Sequence, residues 1–335
     1  MGRTETITCN YLKHKEVFAD VLNIVLYSGK KIVKSENITE LDGTYMSIIP
    51  DTIEGMNDTI KNTQIRRYRD ILGMVKLGDI QDESEYCVRL IAGIEQQTKV
   101  HYAMPVRNML YDALEYMEQV KKKSEYVQGN SKERQYTRAE FLSGIGKDDR
   151  LIPVVTIVVY LQPEEWDGPR SLHEMLDFKG ISEELVSLIP DYKMLILQPS
   201  DYKEVPEVSL DSTLSIIMGL LGCADSKDKF YNYINTHSDK FKNMPHDATA
   251  VINEYCDIGI PEEKIREEEL IDVCKAMEEI REEERIKGES QGRQKGEQIG
   301  MVTAYIDMGV SVEEIAGKLH ITVGEVNKII AQIEV

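Results

Sequence analysis

Two acidic residues, Asp70 and Glu95, have the type and spacing from which a metal site could be built. Glu95 ends an apolar run, 86–94, that predicts a mostly buried strand. If 65–77 is the preceding antiparallel strand, a loop over 78–85 joins the two and brings Asp70 beside Glu95. Two carboxylates this close repel each other unless a cation lies between them, and oxygen ligands suit Mg²⁺.

An ordinary structural role is the alternative for both acids. Each could pair with a nearby arginine, and the candidates are Arg66, Arg69 and Arg89. Ion pairs of this kind are common and need no metal. The spacing alone favours the ion pair over the metal site, so the two interpretations have to be separated by other residues.

The residues around and after Glu95 resemble a known family. They are the run Glu95-Gln96-Gln97, the segment HYAMPVR at 101–107, and Tyr111-Asp112, Tyr116 and Gln119. This block is similar to the Rpn family of recombination-promoting nucleases and transposases, which belongs to the PD-(D/E)xK nuclease superfamily. Weaker similarity occurs at 18–23 and at 166–172, so the resemblance covers roughly 1–200.

The resemblance implies a restriction-endonuclease-like core, a mixed sheet flanked by helices, that cleaves DNA in recombination or transposition. Asp70, Glu95 and the Gln96 carbonyl would bind Mg²⁺, which Mn²⁺ is expected to replace, and a water acidified by the metal would attack phosphorus. Gln97 occupies the position where the superfamily usually has lysine. Its amide is no base near neutral pH, but it can orient that water or donate to a phosphate oxygen.

Further site residues are expected on the helices. Asp20 is the candidate for the auxiliary acid that many of these enzymes carry on their first helix, although an exposed helix carboxylate is an equal alternative. Arg107 and Tyr111 are four residues apart and share a helix face, so Arg107 could hold a phosphate, and both residues are expected to bind the substrate. Gln119 could also reach the site. His101 has no second histidine at ligand spacing and is expected to be structural.

Net charge limits the class of protein. The chain has 335 residues and a net charge of −19, which argues against a protein that coats nucleic acid. Residues 1–150 hold 22 basic and 23 acidic residues, a net charge of −1, whereas 151–335 hold 18 and 36, a net charge of −18. The nearly neutral first part leaves room for a phosphate-binding groove. The acidic second part weakens non-specific DNA binding and suits a basic protein partner.

Cysteine usage and hydropathy point to the cytoplasm. The five cysteines are odd in number and include no CxxC pair, which argues against a disulfide framework and a zinc site. No basic segment followed by an apolar one stands at the start. The longest apolar run, 151–161, is too short to span a bilayer. We therefore expect a cytoplasmic protein without membrane contact.

The order of helix and strand signals along the chain predicts an α/β fold with an all-helical C-terminal region. Pro105 suits the first turn of a long helix that ends in the lysines at 121–123. The other expected elements are helices at 16–27 and 35–42 and strands at 45–49, 67–75, 86–96, 151–160 and 194–197.

Four parts are expected along the chain. They are a nuclease-like domain at 1–205, a helical region at 206–285, a charged connector at 286–300 and a small helical unit at 301–335. The connector has a glycine at every fourth position, namely Gly288, Gly292, Gly296 and Gly300. Such a stripe indicates either a flexible, conditionally helical linker or a close-packed pair of helices.

The last part predicts a helical hairpin. Capping boxes at 311–314 and 322–325 start two short helices, an arrangement similar to a helix-turn-helix. Lys328 is the main basic residue of the second helix, so DNA reading by this unit is not favoured. The expected partners are therefore DNA at the nuclease-like domain and a second copy of the chain at the C-terminal helices. The alternative function is a non-catalytic regulatory or interaction protein that oligomerises through these helices.

Overall fold

The computed structural model describes residues 2–49, 63–77, 88–129, 136–202 and 212–333. The chain divides into two compact units, Met1–Asp272 and Val273–Val335. Within the described ranges, no helix combines the length and the apolar character that crossing a bilayer requires.

The first unit has an α/β fold, as the sequence predicts. Its five-stranded mixed sheet has the order β1-β4-β5-β6-β7; β4 runs antiparallel to β1 and β5, and β6 runs parallel to β5 and β7. A separate antiparallel pair is formed by β2 and β3. The strands are β1 Ile38–Glu40, β2 Thr44–Ile49, β3 Thr63–Tyr68, β4 Ile71–Leu77, β5 Val88–Gln97, β6 Val154–Tyr160 and β7 Leu195–Leu197.

Helices cover both faces of this sheet. On one face Leu114 of the long helix packs against Leu72 and Ile91. On the other face Phe18 lies against Gly73, so α2 covers β4 there. The helices of the unit are α1 Arg3–Lys13, α2 Lys15–Tyr27, α3 Met104–Gly129, α4 Arg138–Ser143, α5 Glu183–Leu188, α6 Thr213–Gly222, α7 Lys227–Thr236, α8 Ser238–Phe241, α9 His246–Cys256 and α10 Glu262–Glu267.

Several element boundaries differ from the prediction. The single strand expected over 65–77 is broken at residues 69–70, because β3 pairs with β2 while β4 pairs with β1 and β5. The helix expected over 35–42 is a 3₁₀ turn, Ser35–Asn37, followed by β1. The expected loop 78–85 lies outside the described residues.

The long helix and the region after 205 also differ. Helix α3 continues past the lysines at 121–123 to Gly129, because no glycine or proline interrupts it earlier. Beyond the helices and their connecting turns, the described residues from 212 to 272 include a short antiparallel pair, β8 Met244–Pro245 and β9 Leu270–Ile271.

The second unit is helical and consists of α11 Val273–Asp307, α12 Val312–Leu319 and α13 Val323–Ile333. Ser311 and Thr322 accept hydrogen bonds from the backbone N–H groups three residues later, which confirms both predicted helix starts. The expected connector 286–300 is not separate, since it lies inside α11. A Cβ added at any of its four glycines would meet no described atom within 4 Å, so no described helix packs against the stripe.

Candidate functional site

The structure brings Asp70 and Glu95 together. Ile71, the first residue of β4, pairs with Ile94 of β5, so the next step of the antiparallel register sets Asp70 opposite Glu95. The backbone N–H of Gln96 donates to Asp70 Oδ2 at 2.9 Å. The side chain of Asp70 is therefore held at the strand on which Glu95 lies.

Glu95 is a fully buried acid in weak contact with a cation. Its residue exposure is 0%, and Arg107 Nη2 lies 3.3 Å from its Oε2. Its Oε1 is buried and finds no hydrogen-bond donor among the described residues. Burial first, and the charge of Asp70 second, raise the pKa of the Glu95 carboxyl to about 8. Burial also raises the pKa of Asp70.

Arg107 enters the site from the start of α3. Its Nε donates to the Tyr111 hydroxyl at 3.2 Å, and its guanidinium lies 5.5 Å from the centre of the Tyr111 ring. About a third of the Arg107 side chain is exposed, whereas Tyr111 is only 5% exposed. Arg107 can therefore meet a ligand from solvent, while Tyr111, expected as a substrate-binding residue, contacts Arg107 instead.

A cavity of about 540 Å³ opens beside these residues. Its walls combine acids, amides and cations; they include Glu5, Asp70, Gln96, Gln97, Lys99, His101 and Arg107. A cavity with acids and cations together suits a ligand that carries both a metal ion and a phosphate.

The acid that the first helix contributes to this cavity is Glu5, not Asp20. Glu5 lines the cavity and its charge acts on Asp70. Asp20, the expected auxiliary acid, lies on α2, where its interactions are with Ser212, Lys31 and Glu16. The expectation for Asp20 assumed that 16–27 is the first helix. The structure adds α1 before it, and no periodicity in the sequence had pointed to α1.

Two glutamines expected at the site have different roles. Gln97 lines the cavity and its Nε2 donates to the Gln96 carbonyl at 2.8 Å, so its amide restrains an oxygen that was expected to bind metal. Gln119 does not contribute to the cavity described here. Its amide donates to Ile152 O at 3.1 Å and accepts from Ile152 N at 2.7 Å, which ties α3 to the chain just before β6.

A buried polar network lies beneath the site, and the sequence reasoning missed it. Arg69 Nη2 lies 2.5 Å from Asp112 Oδ1 and 2.7 Å from Thr156 Oγ1. Thr156 Oγ1 also donates to Asp112 Oδ1, and the Tyr192 hydroxyl donates to Asp112 Oδ2 at 2.6 Å. Arg69 had been considered as a partner for Asp70 or Glu95. Asp112 belongs to the family-like block but has no predicted role, and nothing in the sequence points to Tyr192.

Gly93 is the residue that makes room for Arg69. A Cβ at Gly93 would lie 2.3 Å from Nη1 and 3.0 Å from Cζ of Arg69, whose guanidinium is held by Asp112 and Thr156. We expect Gly93→Ala to lower the unfolding free energy by about 1–3 kcal/mol, because the ordered guanidinium must move. Urea unfolding measures this loss. Gly129→Ala is the control, since a Cβ there would meet no described atom within 4 Å, and equal losses in the two variants would contradict the contact.

The donor set can be compared with what Mg²⁺ requires. No group of three or more His, Cys, Asp or Glu side chains gathers around one point in the part of the chain that the structure describes. Mg²⁺ needs no such group, because it keeps several waters and is commonly held by one or two carboxylates. Asp70 and Glu95 supply two carboxylates, and the buried Glu95 Oε1 has no hydrogen-bond partner among the residues that the structure describes. These residues fit a magnesium ion and do not resemble a zinc site.

The chain was compared with protein-family models, with curated proteins and with solved structures, and nothing matched in any of the three. The similarity to the Rpn family therefore rests on the motif residues quoted above.

Proposed function

We propose that this chain is a Mg²⁺-dependent DNA endonuclease with a restriction-endonuclease-like core, serving recombination or transposition as its resemblance to the Rpn family implies. The observation that carries the proposal is the pair formed by Asp70 and the fully buried Glu95. The two acids oppose each other across β4 and β5, beside an open cavity that Arg107 also lines. The five-stranded mixed sheet with helices on both faces is compatible with such a core.

The first role of the site is to hold the metal ion. The carboxylates of Asp70 and Glu95 and the Gln96 carbonyl would be its protein ligands, and Glu5 stands in the same cavity to bind an outer water. The chemistry that such an ion supplies is a more acidic attacking water and compensation of charge at phosphorus. A bound cation would relieve the repulsion between the two acids, which contributes to the raised pKa of Glu95.

The second role is to hold the scissile phosphate. Arg107 is the best-placed cation, because its guanidinium is partly exposed and reaches Glu95. A guanidinium can donate two parallel hydrogen bonds to phosphate oxygens. Arg107 would thereby supply the positive charge that the superfamily usually places at the position of Gln97. Gln97 would orient the Gln96 carbonyl, in keeping with its hydrogen bond.

Cleavage of supercoiled plasmid tests the proposal. Wild type should nick or linearise the plasmid with Mg²⁺ and lose this activity in EDTA. Asp70→Asn and Glu95→Gln should each lower the rate at least about 10³-fold, because each removes a charged metal ligand. Asp20→Asn is the matched control, since Asp20 is a partly buried helix acid that interacts with Ser212 and Lys31, and it should stay within about twofold of wild type.

Two results would contradict the endonuclease. One is cleavage that persists unchanged in Asp70→Asn and Glu95→Gln, which would assign it to a contaminant or to another site. The other is a folded wild-type protein that does not cleave any DNA form with Mg²⁺ or Mn²⁺. The non-catalytic interaction protein would then be the better description.

A further inference from the structure

Arg69 lies directly behind Glu95 in the protein interior. Gly93 and Glu95 are two residues apart in β5, so both point to the same face of the sheet. The Arg69 guanidinium covers Gly93 on that face, and its side chain is 0% exposed. Its charge acts on the Glu95 carboxyl. Its Nε and Nη1, like Glu95 Oε1, are buried without a hydrogen-bond partner among the described residues.

Asp112 fixes Arg69 in this place. One oxygen of Asp112 binds both Arg69 Nη2 and the Thr156 hydroxyl, and the other accepts the Tyr192 hydroxyl. Thr156 also accepts from Arg69, so the three side chains form a closed triangle. Both oxygens of Asp112 are thus engaged.

The same network reaches Arg107 through an aromatic ring. The guanidinium carbons of Arg69 and Arg107 each lie 5.5 Å from the centre of the Tyr111 ring. Attraction between a guanidinium and a ring holds both partners in place. The two arginines differ in how firmly they are held. Arg69 makes short hydrogen bonds to Asp112 and Thr156 and its side chain is 0% exposed, whereas Arg107 makes a 3.3 Å contact with Glu95 and its side chain is partly exposed.

We propose that Asp112, Thr156 and Tyr192 are positioning residues for the metal site. They hold Arg69 as a fixed cation behind Glu95, and this leaves Arg107 as the exchangeable cation that moves from Glu95 to the substrate phosphate. The inference rests on the proposed function in one respect: it takes Glu95 as a metal ligand and Arg107 as a phosphate ligand. In this role Asp112, Thr156 and Tyr192 would act through Arg69 and not as ligands of the metal or the DNA.

Two pairs of variants of the full chain test this proposal. Tyr192→Phe removes one bond to Asp112. Tyr202→Phe is its control, because Tyr202 is a buried tyrosine whose hydroxyl takes no part in the Asp112 network. Thr156→Val removes the hydroxyl from the triangle and Thr156→Ser restores it. Calorimetry measures Mg²⁺ affinity, plasmid cleavage measures kcat and KM, and thermal unfolding confirms that each variant is folded.

Tyr192→Phe and Thr156→Val should weaken Mg²⁺ binding or lower kcat about 10-fold, as is usual when a partner behind a metal ligand is lost. KM for DNA should stay within about twofold, because the exposed Arg107 still reaches phosphate. Tyr202→Phe and Thr156→Ser should resemble wild type.

A purely structural role of the network would give a different result. If Tyr192→Phe and Thr156→Val change only the melting temperature, or change no more than their controls, the network is merely structural and the proposal is overturned. A wild type that binds Mg²⁺ without cleaving DNA would contradict the endonuclease, yet the ratio of Mg²⁺ affinities would still decide the positioning role. A wild type that binds no Mg²⁺ would overturn both.

Discussion

Asp112→Ala is expected to lower the unfolding free energy of the first unit by about 3–5 kcal/mol, because it leaves a buried cation without its anion. Arg69 is 0% exposed in its side chain and its partner Asp112 only 11% exposed. Thr156, which also accepts a hydrogen bond from Arg69, carries no charge and cannot replace the anion. Trp166 is the single tryptophan and lies buried in the first unit, so its fluorescence during urea unfolding reports on this unit.

The double variant Arg69→Met, Asp112→Leu separates loss of a pair from loss of volume. Replacing both members of a buried ion pair by apolar residues is often neutral or stabilising, so most of the loss should be recovered. Exposed pairs provide the control: Glu118→Ala, which removes the partner of Lys122 on α3, should cost less than about 1 kcal/mol. A loss in Asp112→Ala as small as that of Glu118→Ala would contradict the buried pair.

Glu95→Gln is expected to stabilise the protein above neutral pH and to flatten its stability profile. The carboxyl has a pKa of about 8 in the folded protein, against an ordinary value of 4.5. Between these values the unfolded chain releases the proton while the folded chain keeps it. The unfolding free energy should therefore fall as pH rises from about 5 to about 8, by up to about 1.4 kcal/mol per pH unit.

Urea midpoints at pH 5, 6, 7 and 8, read from Trp166, measure this slope. Wild type should lose stability across the window, and Glu95→Gln should lose much less. A smaller slope of the same sign remains, because burial also raises the pKa of Asp70. Glu16→Gln, which alters an exposed acid on α2, should keep the wild-type slope. Parallel profiles for Glu95→Gln and wild type would show that Glu95 is ionised throughout.

Local patterns predicted those parts of the protein that depend on residues close in sequence. The apolar run before Glu95 forms β5, Pro105 lies in the first turn of α3, and the boxes at 311–314 and 322–325 start α12 and α13. Strand periodicity and capping act within a few residues, so a single sequence displays them. The same patterns did not predict the break between β3 and β4 at residues 69–70. The break arises because β3 pairs with β2 whereas β4 pairs with β1 and β5, and strand pairing is not a local property of the sequence.

The residues of the site also divide into those that the sequence predicted and those that only the structure revealed. The sequence by itself determined that Asp70 and Glu95 come together, because one hairpin-like register relates β4 to β5. Only the tertiary structure decided that Glu5 rather than Asp20 joins them and that Arg69 pairs with Asp112. Arg69 and Asp112 are 43 residues apart, and Tyr192 lies 80 residues beyond Asp112. Contacts over such separations follow from how helices pack on the sheet, and no local periodicity encodes that packing.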